Sequence, residues 1–87
     1  MIEAYILMRI KPGMDRSVLQ TISGLKQVKD METVYGAYDL LMKIQVGQMD
    51  DLDAFIFDTV RTIKGVERTT TLIAIEPPGE GDVEWKA

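Results

Sequence analysis

The sequence contains neither cysteine nor histidine. Without cysteine it can form no disulfide and no thiolate metal site. Without histidine it lacks the usual general base near neutral pH and the commonest metal ligand. No apolar run approaches the roughly 20 residues that span a bilayer. The start, Ile2-Glu3-Ala4-Tyr5-Ile6-Leu7-Met8, lacks the basic region and small-residue cleavage site of a signal peptide. Basic clusters are missing too: ten Lys and Arg stand against fourteen Asp and Glu, a net charge of −4. Direct nucleic-acid binding is therefore not expected. These absences argue against an enzyme, a cofactor, a metal protein and a membrane protein, and they place the chain in the cytoplasm.

What is present is a globular balance, 46% apolar and 28% charged, over 87 residues. That length makes one domain, which hides only about 60 to 65% of its unfolded surface, so help from a partner chain is expected. Residues 2–10 read as a strand with an apolar face of Ala4, Ile6, Met8 and Ile10 and a second face of Tyr5, Leu7 and Arg9. Lys11-Pro12-Gly13 ends it. Asp15 is the candidate N-cap of a helix bearing Val18, Leu19, Ile22 and Leu25 on one face, with Gly24 at its C-terminus. A mixed-polarity strand over 28–35 turns at Gly36-Ala37. In the next strand Tyr38, Leu40, Met42, Ile44 and Val46 alternate with Asp39, Leu41, Lys43 and Gln45. Gly47 to Asp51 is a loop ending in a cap. Leu52, Phe55, Ile56, Val60 and Ile63 then mark a second helix closed by Gly65. A strand over 69–75 is stopped by Pro77-Pro78-Gly79.

Thr21-Ile22-Ser23-Gly24-Leu25 is repeated weakly as Thr62-Ile63-Lys64-Gly65-Val66, so the chain is two strand, helix, strand half-units. The order βαββαβ predicts an α+β, ferredoxin-like domain over residues 1–76, a four-stranded antiparallel sheet in spatial order 4-1-3-2 with both helices on one face. An acidic tail, 77–87, carries the only tryptophan, Trp85; it reads as frayed and solvated, the alternative being that Trp85 docks on a neighbouring subunit. The open sheet face, with Tyr5, Leu7 and Leu41, predicts a homodimer formed sheet to sheet.

The topology brings Pro12-Gly13, the hairpin tip and the start of the last strand to one end of the sheet. There the amides near Gly36 and the hydroxyls of Thr69 and Thr71 suit a carboxylate, and Asp39 suits an ammonium. Those groups together fit a small zwitterion. Elsewhere, Asp50, Asp51, Asp53 and Asp58 fall at the start and outer face of the second helix, where acids complement the dipole, and they are not assigned a metal.

Ala4-Tyr5-Ile6-Leu7 followed by Lys11-Pro12-Gly13, then Val34-Tyr35-Gly36-Ala37-Tyr38-Asp39, then Gly65-Val66-Glu67-Arg68-Thr69-Thr70-Thr71 resembles the effector-binding (RAM) domain of the leucine-responsive Lrp/AsnC regulators. The resemblance implies sheet-to-sheet dimers assembled into rings, commonly octamers, with amino acids bound where dimers meet. It implies a ligand site lined by Tyr35, Gly36, Tyr38, Asp39, Thr69 and Thr71. Full members carry a helix-turn-helix ahead of this domain, whereas Met1 here leads directly into it. The expectation is a stand-alone effector module, able to modulate a full-length Lrp/AsnC regulator by mixed assembly. The competing readings are a small dimeric ferredoxin-like enzyme of the monooxygenase or isomerase kind and a ligand-free assembly scaffold.

Overall fold

In β1 (Ile2–Ile10) Ala4, Ile6, Met8 and Ile10 are buried, and the residues between them, Tyr5, Leu7 and Arg9, are half-buried. The same alternation runs through β3 (Leu40–Val46), where Leu40, Met42, Ile44 and Val46 are buried. The two strands pair antiparallel with Met8 opposite Leu40, Ile6 opposite Met42 and Ala4 opposite Ile44. Because side chains alternate faces along a strand, that register lays both apolar sets on one side of the sheet. This computed structural model describes residues 1–75. The expected stop at Pro77-Pro78-Gly79, the tail and the docking of Trp85 lie outside the described residues.

β2 (Val28–Thr33) adds to β3 and β4 (Val66–Ile73) adds to β1, both antiparallel, giving the order β2-β3-β1-β4. This is the ferredoxin-like arrangement expected from the element order. Helix α1 (Asp15–Ser23) and a second helical segment beginning with α2 (Met49–Ala54) cover the apolar face. Val18 and Ile22 of α1, with Leu52, Phe55 and Val60 of the second segment, join the strand residues in one core. No described helix is long and apolar enough to cross a membrane.

Besides β4, which starts three residues earlier and ends two residues earlier than the expected 69–75, four local details differ from expectation. Asp15 is the first residue of α1 and not its cap: Met14 donates to the Lys11 carbonyl after the Pro12-Gly13 turn, and Val18 already donates back to Met14. The Asp15 charge acts instead on the positive end of the helix dipole. The second segment also starts earlier, with Gln48 as its cap and the Asp51 carboxylate accepting the Gln48 N–H at 3.1 Å. It is not a uniform α-helix but passes through a π turn over Phe55–Thr59 and a 3-10 turn over Val60–Thr62. The buried residues Phe55 and Val60 are five apart, and the Val60 N–H reaches the Phe55 carbonyl, so the i→i+5 turn brings both to the core. Finally, β2 and β3 are shorter at the hairpin than the apolar runs suggest. The Val34 N–H donates to the Asp39 carbonyl at 3.0 Å, closing the ladder and leaving residues 35–38 as a loop.

Gly65 shows how tightly α1 sits against the entry to β4. Its φ is +103°, and a Cβ there would lie 2.9 Å from both Met14 Cβ and Val18 Cγ2. Gly65→Ala combines a strained backbone with a clash against buried Val18, and should cost about 2 to 4 kcal/mol. Gly24, at the C-terminus of α1, has an ordinary helical φ of −88°, and its Cβ would meet only the Thr21 carbonyl oxygen at 3.7 Å. Gly24→Ala should therefore leave stability unchanged or raise it by about 0.4 to 1 kcal/mol. Urea unfolding midpoints of the two variants check the contrast.

Candidate functional site

At one end of the sheet the loop 35–38, the C-terminal end of β1 and the start of β4 meet. The bond from the N–H of Asp39, the residue just before β3, to the Met8 carbonyl, 2.9 Å, is the last backbone bond along this pair. Ile10, two residues on, presents its N–H on the same edge of β1, where the partner strand has turned away into the loop. The Asp39 side chain takes over: its Oδ2 accepts the Ile10 N–H at 2.8 Å. The same oxygen lies 3.9 Å from Arg9 Nε. Asp39 Oδ2 thus holds the end of the ladder together, and Oδ1 has no hydrogen-bond partner among the described residues.

Arg9 and Arg68 stand directly opposite each other on the pair β1 and β4. Like charges in that relation repel, and each guanidinium leans to a different partner. Arg9 Nη1 donates to the Gly36 carbonyl at 2.9 Å and the Ala37 carbonyl at 3.0 Å. Arg68 lies over the Tyr38 ring, 5.8 Å from its centroid, in cation–π geometry. Within this cluster the two guanidiniums stand against the carboxylate of Asp39, with Glu67 next to Arg68 at the start of β4. Loop residue Tyr35 is wholly exposed, and Gly36 takes a φ of +130°, a conformation that favours glycine. Among the described residues nothing accepts a hydrogen bond from the N–H of Ala37 or of Tyr38.

Of the residues singled out in the sequence, Tyr35, Gly36, Tyr38 and Asp39 come together at this end. Thr69 and Thr71 share a face, as expected, but it is the other one: they pair with Met8 and Ile6, on the side that the helices cover. Thr70 is the threonine on the open face, opposite Leu7, and its Oγ1 lies 2.6 Å from the Tyr38 hydroxyl. Tyr38 correspondingly does not continue the core face of β3, because the strand starts only at Leu40 and the ring reaches the open side. Sequence reasoning passed over Arg9, Arg68 and Thr70. The alternation of β1 already set Arg9 on the face of Tyr5 and Leu7, which was the available signal.

Away from this end, the open face carries Tyr5, Leu7 and Leu41, all half-buried, with Leu72 exposed beside them. Leu7 pairs with Leu41 and with Thr70, so the apolar patch runs up to the arginine cluster. Glu3 closes the other side, 3.8 Å from Lys43 Nζ and accepting from Gln45 at 2.9 Å. Between sheet and helices, by contrast, no polar or charged side chain is buried among the described residues. A larger cleft of about 630 Å³ lies at the opposite end of the sheet, between Met1, Ile2, Met49 and Ile75. None of the cationic or hairpin groups reaches it.

A family model described as the Lrp/AsnC ligand binding domain matches residues 3–83. The chain belongs to the Lrp/AsnC ligand-binding domain family. It is 30% identical over 74 residues to an HTH-type transcriptional regulator of Pyrococcus horikoshii, PH1916, covering 82% of this chain and 49% of that one. The chain thus spans about half the length of that regulator. FFRP-DM1, a solved structure 37% identical to it, superposes with a TM-score of 0.83 over 86% of this chain and 100% of its own. The Neisseria meningitidis regulator NMB0573, solved as an L-Met complex, is 18% identical and shares the fold, with a TM-score of 0.81 over 91% of this chain and 53% of its own.

In this Lrp/AsnC domain the Tyr38–Thr70 contact ties the loop to the edge strand. Tyr38→Phe and Thr70→Val should each cost about 0.5 to 1.5 kcal/mol, and the double variant little more than either alone. Thr71→Val, on the other face, should be independent of Tyr38→Phe. Thermal or urea unfolding of the set forms the cycle that checks this.

Proposed function

We propose that the domain binds a free amino acid at the hairpin end of the sheet, as the effector module of a transcription regulator. The observation that carries this reading is the pairing, within one turn of chain, of unbonded amides at Ala37 and Tyr38 with an unbonded carboxylate oxygen on Asp39. A zwitterion needs donors for its carboxylate and an acceptor for its ammonium, and the guanidiniums of Arg9 and Arg68 draw the carboxylate end. The L-Met complex of the Neisseria protein, which has this fold, supports the same ligand class.

Tyr35, Gly36 and Ala37 stand in solvent, so the loop forms one wall of a site. The remaining wall comes from another subunit. The apolar patch of Tyr5, Leu7, Leu41 and Leu72 favours a sheet-to-sheet homodimer, and dimers meeting at their hairpin ends would close a ring with the ligand between them. Such a ring is also the structure into which a full-length Lrp/AsnC relative would enter by mixed assembly. Thr69 and Thr71, turned to the helix side, stay out of this version of the site, and Thr70 replaces them.

Asp39 carries two duties here, and its variants separate them. Asp39→Asn keeps an acceptor for the Ile10 N–H and loses the charge that an ammonium needs. It should bind an amino acid about tenfold or more weakly with stability largely retained. Asp39→Ala should lose both. Native mass spectrometry of the protein with a mixture of the twenty amino acids reads assembly and binding together. An oligomer carrying one amino acid per subunit is expected; an oligomer with no adduct would mark the domain as a scaffold.

A further inference from the structure

The two bonds from Arg9 to the loop fix more than its position. A trans peptide holds its C=O and N–H on opposite sides, and among the described residues no peptide bond is cis. The peptide that carries the Gly36 oxygen also carries the Ala37 N–H, and the one that carries the Ala37 oxygen also carries the Tyr38 N–H. A single nitrogen, Arg9 Nη1, takes both oxygens, at 2.9 and 3.0 Å. Drawing both carbonyls to one point turns both amides to the side of the loop away from the guanidinium. Successive N–H groups turned the same way are an anion-binding arrangement, like the first turn of a helix.

We infer that Arg9 is a positioning residue of the ligand site, which touches no ligand but holds two successive peptides so that the Ala37 and Tyr38 amides face outward as a pair for a carboxylate. This rests on the amino-acid site proposed above. Arg9 is itself held on its other edge, with Nε 3.9 Å from the Asp39 oxygen that accepts the Ile10 N–H. Carbonyls, guanidinium, carboxylate and strand amide form one chain of contacts from the loop into β1. The task needs a planar fork, with Nε on one side and Nη1 on the other, and an ammonium offers only a point charge. Lysine at this position would keep the charge of the cluster and lose the geometry.

The test is an amide NMR titration of the ¹⁵N-labelled chain with the same mixture of twenty amino acids, on wild type, Arg9→Lys and Arg9→Gln. In the wild type, the Ala37 and Tyr38 resonances should shift saturably. In both variants those two resonances should already be displaced without amino acids, and the apparent affinity should fall tenfold or more while the thermal midpoint moves by only a few degrees. Arg9→Lys binding as tightly as wild type while Arg9→Gln does not would mean that Arg9 supplies only charge, which overturns the inference. Both variants binding normally would overturn it as well. A wild-type protein that retains an amino acid in mass spectrometry without movement at Ala37 and Tyr38 would overturn the role of Arg9 and leave the amino-acid reading standing. If no amino acid is retained, that reading falls and the role of Arg9 falls with it.

Discussion

The register of β1 against its two neighbours is the constraint on which the rest depends. β1 is bonded on both edges, and its alternation assigns Ala4, Ile6, Met8 and Ile10 to the helices and Tyr5, Leu7 and Arg9 to the open face. A slip of one residue would drive Arg9 into the core and expose the apolar set. Burial of Ile6, Met8 and Ile10, each worth about 1.5 to 3 kcal/mol, makes that slip prohibitive. The same register delivers Arg9 to the hairpin, Leu7 to Leu41, and the Ile10 amide to Asp39. Core and candidate site are therefore two consequences of one pairing.

The hairpin end is then settled by electrostatics. Facing arginines on adjacent strands repel, and the structure separates them by giving one a pair of carbonyls and the other an aromatic face. Asp39 offsets one of the two charges while ending the ladder at Ile10. This balance leaves guanidiniums beside unbonded amides, which is the chemistry a carboxylate ligand seeks. No polar or charged side chain is fully buried between sheet and helices among the described residues, so the chemistry lies near the surface, where a second subunit can share it.

The sheet was legible because period-two alternation in β1 and β3 is long and uninterrupted, and the crossovers needed only two helix-length segments. The parity of β4 was not. Val66 pairs with Ile10 and Arg68 with Arg9, so Glu67 is an extra residue in a bulge that reverses which side chains face the helices. Counting by twos from Val66 through an unbroken strand would have buried Arg68, Thr70 and Leu72. The bulge brings Thr70 to Tyr38 and turns Thr69 and Thr71 inward, and nothing in the sequence around Glu67 marks it. The hairpin was misjudged for a related reason: Tyr38 and Asp39 continue the alternating pattern of β3, but their side chains bond to Thr70 and to the Ile10 amide. In the second helix the five-residue step from Phe55 to Val60 was visible, yet a π turn is too rare to expect from spacing alone.

The central claim is that an amino acid sits at the hairpin end and not in the larger cleft near Met1 and Ile75. A crystal of the protein grown with the amino acid that it retains tests this most directly. The account predicts difference density with the carboxylate on the Ala37 and Tyr38 amides and the ammonium beside Asp39. Density at the opposite end of the sheet, between Met1, Met49 and Ile75, would contradict it.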